Sequence, residues 1–296
     1  MDALAPDKNK WRRMLFEPRS RLTAGLTVRL SPRVRRIVAP NAGLMTGPGT
    51  NTYLLGTHDI AVLDPGPDDR SHLETILAAG RDRIRWVIVT HTHRDHSPLA
   101  RALVDATGAQ LIGLPPPGDG RQDETFDPDH APEDGERLIL SDLSLLAIHT
   151  PGHASNCVCY CLASDELLFT GDHILEGVSP VILPPDGDMS AYLESLDKLA
   201  AYDFNRIAPG HGGLMGEAKR AVEALRRHRV MREDKVMRSI RAHPDATLET
   251  LVSRVYDDVA EERHAWAKLT LQAHLIKLLR EGRVREHAGA WRVSVE

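Results

Sequence analysis

Residues 84–97 read IRWVIVTHTHRDHS, and this stretch decides the class of the chain. The apolar run 84–90 has the form of a strand buried on both faces. His91, His93, Asp95 and His96 follow it at once. Residues two apart on leaving a strand point the same way, so His91 and His93 share a direction. Asp95 and His96 then fall in the loop or the first turn of the next helix. Four metal-competent side chains therefore converge on one end of a sheet. Neutral imidazole and carboxylate are ligands that divalent zinc or iron accepts.

Three further candidates stand at similar junctions. His153 lies in TPGHAS after the run LLAIH, Asp172 in TGDH after ELLFT, and His211 in APGHGG after RIA. Each sits beside glycine, which lets backbone and metal approach closely. Five histidines and two aspartates suffice for two ions that share a carboxylate. They exceed the four ligands that one tetrahedral zinc uses.

Around these junctions, strand and helix patterns alternate. Strands are predicted in 26–39, 51–56, 60–66, 84–90, 109–114, 137–150, 156–163, 166–172 and 206–210, and helices in 68–80, 97–107 and 189–202. Asp69 or Ser71 is placed to cap the first helix. The alternation predicts an α/β domain over residues 26–216. Residues 1–25 form an N-terminal extension without clear periodicity. After Gly216 come three helical patterns and a Gly-containing hairpin pattern, a winged-helix-like domain over 217–296.

Composition narrows the setting. The chain has 296 residues, 42% of them hydrophobic and 27% charged, too apolar for a disordered protein. No run approaches the ~18 apolar residues of a membrane span, the N-terminus lacks the apolar core of a signal peptide, and three cysteines exclude a disulfide scaffold. A cytoplasmic location is expected. Charge divides unevenly: residues 1–40 are net +7, 41–216 net −16, and 217–296 net +4. An acidic middle fits a cation-binding centre or a solvated surface.

The motifs HTHRDH, TPGHAS, FTGD and APGHGG together resemble the metallo-β-lactamase-fold hydrolases over residues 34–216. The resemblance implies a four-layer αβ/βα sandwich with metals at one edge of its two sheets. It implies one ion on His91, His93 and His153, a second on Asp95, His96 and His211, and Asp172 bridging them. Asp95 and Asp172 are then catalytic carboxylates as well as ligands. Asp64, in VLDPG, is implied to support the ligands from behind. Two zinc ions are the expected cofactors, with iron or manganese admitted by the same donors. Zinc lowers the pKa of bound water to about 7, so hydroxide is available at neutral pH.

Within this superfamily PNAGLMTGPGTNTYLLG, GDHILEG and the C-terminal stretch from RRHRVMRE to LREGRV are similar to the β-lactamase-like protein 2 group. Members of that group are assigned as endoribonucleases acting on single-stranded RNA. Three functions follow as expectations: hydrolysis of a small ester, thioester or related acyl compound; cleavage of single-stranded RNA; or, without catalysis, DNA binding through the winged helix. A complete ligand set disfavours the last. A negative field around the centre favours a small substrate over a polyanion.

Other features have plain readings. His173 is either a proton donor near the leaving group or a packing residue. Cys157, Cys159 and Cys161 read as buried thiols on a core strand. Segment 115–136 reads as a solvated loop, with a lid as the alternative. Segment 178–192 reads as an ordered loop that either shapes the pocket or merely connects. Arg226, Arg227, His228, Arg229 and Arg232 read as the solvated face of a long helix, with phosphate contact as the alternative. The third helix offers Lys268, Lys277 and Arg280 but also Glu281.

Overall fold

The computed structural model describes residues 21–294. Most of the basic N-terminal extension, with Trp11 and Phe16, lies outside the described residues.

The first sheet contains β1 (Val28–Arg29), β2 (Val34–Val38), β3 (Asn51–Leu55), β4 (Ile60–Leu63), β5 (Ile84–Ile88) and β6 (Gln110–Ile112), side by side in that order. The first four are antiparallel. β4, β5 and β6 are parallel, and the crossovers that parallel pairing requires are α1 (Arg70–Gly80) and α2 (Leu99–Thr107). Asp69 caps α1, its side chain accepting from the His72 amide at 2.8 Å.

The second sheet contains β7 (Arg137–Leu140), β8 (Leu143–His149), β9 (Val158–Leu162), β10 (Leu167–Gly171) and β11 (Arg206–Pro209), with β11 on the opposite edge from β7. β10 and β11 are parallel across α3 (Met189–Leu199).

Alternation along each strand divides the core into layers. Tyr53 and Leu55 on β3 face Tyr160, Leu162 and Phe169 of the opposing sheet, while Leu54 faces outward to Ile76 and Leu103 of the first helical layer. On the second sheet Cys159 and Cys161 face outward, packing with Leu196 and Leu199 of α3. The order is therefore helices, sheet, sheet, helices. The cysteines are buried free thiols, and burial pushes Cys159 up to about 12.

The C-terminal part contains α4 (Ala218–Ala242), α5 (Leu248–Val255), α6 (His264–Arg280), β12 (Ala246–Thr247), β13 (Val284–His287) and β14 (Ala290–Val293). β14 lies between β12 and β13 in a three-stranded sheet, the wing. α4 serves two cores. Ala221, Val222 and Leu225 join the layer over the second sheet, and Val236, Met237 and Ile240 join the winged-helix core with Leu251, Leu271 and Leu275.

Two sequence readings change here. The basic run on α4 is not solvated throughout, because His228, Arg229 and Arg232 are buried. The loop 115–136 is not merely solvated, because Gln122 and Asp123 are buried against the segment that carries the histidines.

Candidate metal centre

Strand ends assemble the site. His91, His93, Asp95 and His96 follow β5; His153 lies between β8 and β9; Asp172 follows β10; His211 follows β11. β10 and β11 run in the same direction, so their following loops meet at one end of the sheet.

The seven side chains form two groups. His91, His93 and His153 bring one nitrogen each together, and Asp95, His96, Asp172 and His211 do the same with one donor atom each. In the first group His93 Nδ1 is 3.0 Å from both His91 Nε2 and His153 Nε2. In the second, His96 Nε2 is 3.3 Å and His211 Nε2 3.4 Å from Asp172 Oδ1, and His211 Nε2 is 3.0 Å from Asp95 Oδ2. The other Asp172 oxygen, Oδ2, is 3.7 Å from His153 Nε2. Asp172 thus presents one oxygen to each group.

The far side of four rings is anchored in protein. His153 Nδ1 meets the Val181 carbonyl at 2.7 Å, His211 Nδ1 the Gly49 carbonyl at 3.2 Å, and His96 Nδ1 Asp64 Oδ2 at 3.0 Å. His91 Nδ1 lies 3.1 Å from Thr90 Oγ1, whose proton goes to Asp64 Oδ2 at 2.8 Å. Each of these outer nitrogens faces an acceptor and so carries a proton, which aims Nε2 inward as the atom available to a metal. Asp64 also accepts from the Thr90 amide at 2.7 Å. Asp64 follows β4 and Thr90 follows β5, and these strands are parallel neighbours in register.

These donors suit a divalent cation. His96 Nε2, His211 Nε2 and Asp172 Oδ1 are buried without a hydrogen-bond partner, although they crowd together. Buried polar atoms are mostly satisfied, and three unsatisfied donor atoms converging on one point fit a cation. Burial pushes His91 well below the usual imidazole range, with His96 adding to it, and burial with His153 pushes His93 down to about 3. Both rings are neutral ligands at pH 7. In the second group burial opposes charge, but Asp95 and Asp172 hold His96 well above the usual range, and Asp172 lifts His211 to about 10. Burial likewise opposes ionisation of Asp95, but His96 holds it down at about 2. Protons there occupy the place that a cation would take.

His173 adjoins Asp172 in the chain but is fully buried, and its ring packs on Tyr192 with centroids 4.7 Å apart. Neither ring nitrogen makes a hydrogen bond, and burial pushes the ring down to about 3. It packs behind the site and is a neutral imidazole, not an imidazolium, at pH 7.

Several supporting residues escaped the sequence reading. Thr92 Oγ1 donates to Gln122 Oε1 at 2.5 Å and accepts from Asn156 Nδ2 at 2.6 Å, and Ser97 Oγ donates to Asp123 Oδ2 at 2.7 Å. Asn51 Nδ2 donates to the Pro209 and Gly212 carbonyls on either side of His211. One signal was available: Thr90 and Thr92 alternate with His91 and His93, so they face into the protein when the histidines face the ion.

Two packed sheets whose strand ends gather imidazoles and carboxylates into paired ligand groups define a metal-dependent hydrolase. The chain belongs to the metallo-β-lactamase superfamily, which it matches over residues 45–211, and it matches the β-lactamase-associated winged helix domain over residues 247–291. It is similar to the β-lactamase-like protein 2 homolog of Drosophila melanogaster, with 30% identity over 279 residues, 87% of this chain and 91% of the other. It is also similar to the atrochrysone carboxyl ACP thioesterase of Aspergillus fumigatus, with 31% identity over 217 residues, 70% of this chain and 65% of the other. A β-lactamase domain protein from Burkholderia ambifaria shares the fold, with a TM-score of 0.80 and 18% identity, over 96% of this chain and 98% of that one. A solved structure that shares the fold, TTHA1623, is in a di-iron-bound form, with a TM-score of 0.51 and 22% identity over 63% of this chain and 96% of that one. Among the described residues no helix is long and apolar enough to cross a membrane.

Proposed function

We propose that this hydrolase holds two zinc ions and cleaves a small ester, thioester or related acyl compound. His91, His93 and His153 hold one ion, Asp95, His96 and His211 the other, and Asp172 binds both. The observation that carries this reading is the division of Asp172, with Oδ2 toward His153 and Oδ1 toward His96 and His211. Two such ions supply Lewis-acid polarisation and water of lowered pKa. The protein holds the ring tautomers through Thr90, Asp64, Gly49 and Val181 and leaves the lone pairs inward.

Three observations favour an acyl substrate. A relative of comparable identity carries the name thioesterase. The turn 43–47, tied to the His211 loop through Thr50, exposes Leu44 at 63% and Met45 at 45%, an apolar rim. The cations that a phosphodiester chain would need on α6 are committed elsewhere. Lys268 pairs with Glu249, Lys277 with Glu233 and Glu281, and Arg280 with Asp188.

The test compares kcat/KM on a thioester panel and on single-stranded RNA at low and moderate salt. Turnover of a thioester, lost in His93→Ala and in Asp172→Ala, with the Asp172 variant retaining fewer than two metals, is expected. Efficient, steeply salt-dependent RNA cleavage without esterase activity would establish the nuclease reading instead.

A further inference from the structure

A cleft of about 590 Å³ lies between segment 178–181 and the helices α4 and α6, and it borders the first ligand group through Val181, whose carbonyl accepts from His153 Nδ1. Tyr256, Val259 and Trp266 give it apolar and aromatic walls, and Arg229 lines it. Arg229 is 2% exposed. Its guanidinium donates to the Pro180 carbonyl and stands 5.1 Å over the Tyr192 ring, while its Nε has no hydrogen-bond partner. It forms no ion pair with a described residue. Arg232, one turn away, shows the ordinary arrangement: Asp258 takes it in two bonds of 2.7 and 3.1 Å.

A buried charge without a counter-charge is costly, and proteins normally pair it. The rest of the cleft does not supply the pair. Asp258 faces Arg232 and Lys235, and Arg263 and Glu262 on the rim are opposite in sign. Burial pushes His228 down to about 3, so it adds no charge at neutral pH. Among the described residues the uncompensated charge is a single positive one, beside flat apolar walls. A guanidinium presents a planar fork that matches the two oxygens of a carboxylate. A dianion would leave one negative charge unmatched beside Asp258 and Glu262.

We propose that this cleft is a second ligand site, for an organic monocarboxylate with a flat apolar body. The carboxylate pairs with Arg229, and the body lies against Trp266, Tyr256 and Val259. The inference does not depend on the substrate proposed for the metal centre: the two sites share the Val181 segment, but the binding test reads Arg229 and not turnover.

Calorimetry on the metal-loaded full chain tests it, with 2-naphthoate as the probe and 2-naphthamide as its neutral isostere. The naphthoate should bind, and the amide should bind about tenfold more weakly or worse, the loss of a charge-assisted pair. Arg229→Gln should cost a similar factor. Ala260→Trp places a large ring on the exposed rim and should block the cleft without disturbing a core. His93→Ala should leave naphthoate binding intact. If Arg229→Gln does not fold, the amide comparison and Ala260→Trp carry the test. Equal affinity for acid and amide would overturn the proposal, as would inorganic phosphate binding as tightly as the naphthoate. Binding that survives Ala260→Trp but vanishes in His93→Ala would assign the carboxylate to the metals and overturn it too.

Discussion

Asp64 has φ of 51°, a left-handed backbone that few side chains other than Asp and Asn enter readily. Its carboxylate accepts from the Thr90 amide, the Thr90 hydroxyl and His96 Nδ1. Asp64→Asn keeps the backbone tolerance but turns an NH₂ toward the Thr90 hydroxyl and His96, so donor faces donor. Metal affinity or turnover should fall ~10–100-fold with little change in melting temperature, as measured by metal titration and thermal denaturation. Unchanged affinity would mean that Asp64 does not orient His96. Gly210 makes a steric argument at the same place. A Cβ there would lie 2.5 Å from Asp172 Oδ1 and 2.7 Å from His96 Cε1. Gly210→Ala should fold, by circular dichroism, yet lose metal from the group that contains His96. A variant that keeps both metals and normal turnover would refute the close fit. The donors were legible because each stands directly beyond a strand, where local spacing sets direction. Gln122, Asp123 and Asn156 were not, because their partners Thr92 and Ser97 are 26 to 64 residues away in sequence.

At the scale of elements, helix positions followed from apolar period and caps, but the partners of their charges did not. Glu233 on α4 shows why. Its carboxylate lies 2.8 Å from Lys277 Nζ and 2.8 Å from Arg283 Nη1, with His274 Nδ1 at 3.7 Å. These contacts cross from α4 to α6 and the start of the wing, a geometry that helical spacing cannot reveal. Burial opposes its ionisation, but the neighbouring His274 and Lys277 hold it down at about 2. A carboxylate depressed in the folded state stabilises the fold above its unfolded pKa of about 4.3, and that stabilisation is lost as pH falls through the folded value. The gap is worth on the order of 2–3 kcal/mol. Glu233→Gln should therefore lower the urea midpoint near neutral pH, and the difference from wild type should close between about pH 4.5 and 2. A difference independent of pH over that window would show that packing, not charge, is what the variant disturbs.

At the scale of the whole molecule, the sequence divides at Gly216 but the packing does not. The composition shift there is real, yet α4 begins inside the sandwich, where Ala221, Val222 and Leu225 share a core with Leu196, Leu199 and Ile207. Burial of a side chain such as Val222 or Leu225 contributes about 1.5–3 kcal/mol. The same helix ends inside the winged-helix core. Arg226 pairs with Asp197 on α3, and Arg280 on α6 pairs with Asp188 at its cap, so both lobes grip α3. A rigid helix shared by two cores transmits unfolding from one to the other. Native-state hydrogen exchange should then give α3, α4 and α6 the same opening free energy, with no separate low-energy opening of the winged helix. A chain ended after residue 216 should expose the outer face of the second sheet and aggregate on expression. Exchange in α6 running orders of magnitude faster than in α3, together with a soluble, metal-binding fragment 21–216, would show that the lobes are independent and that the boundary read from composition is also the physical one.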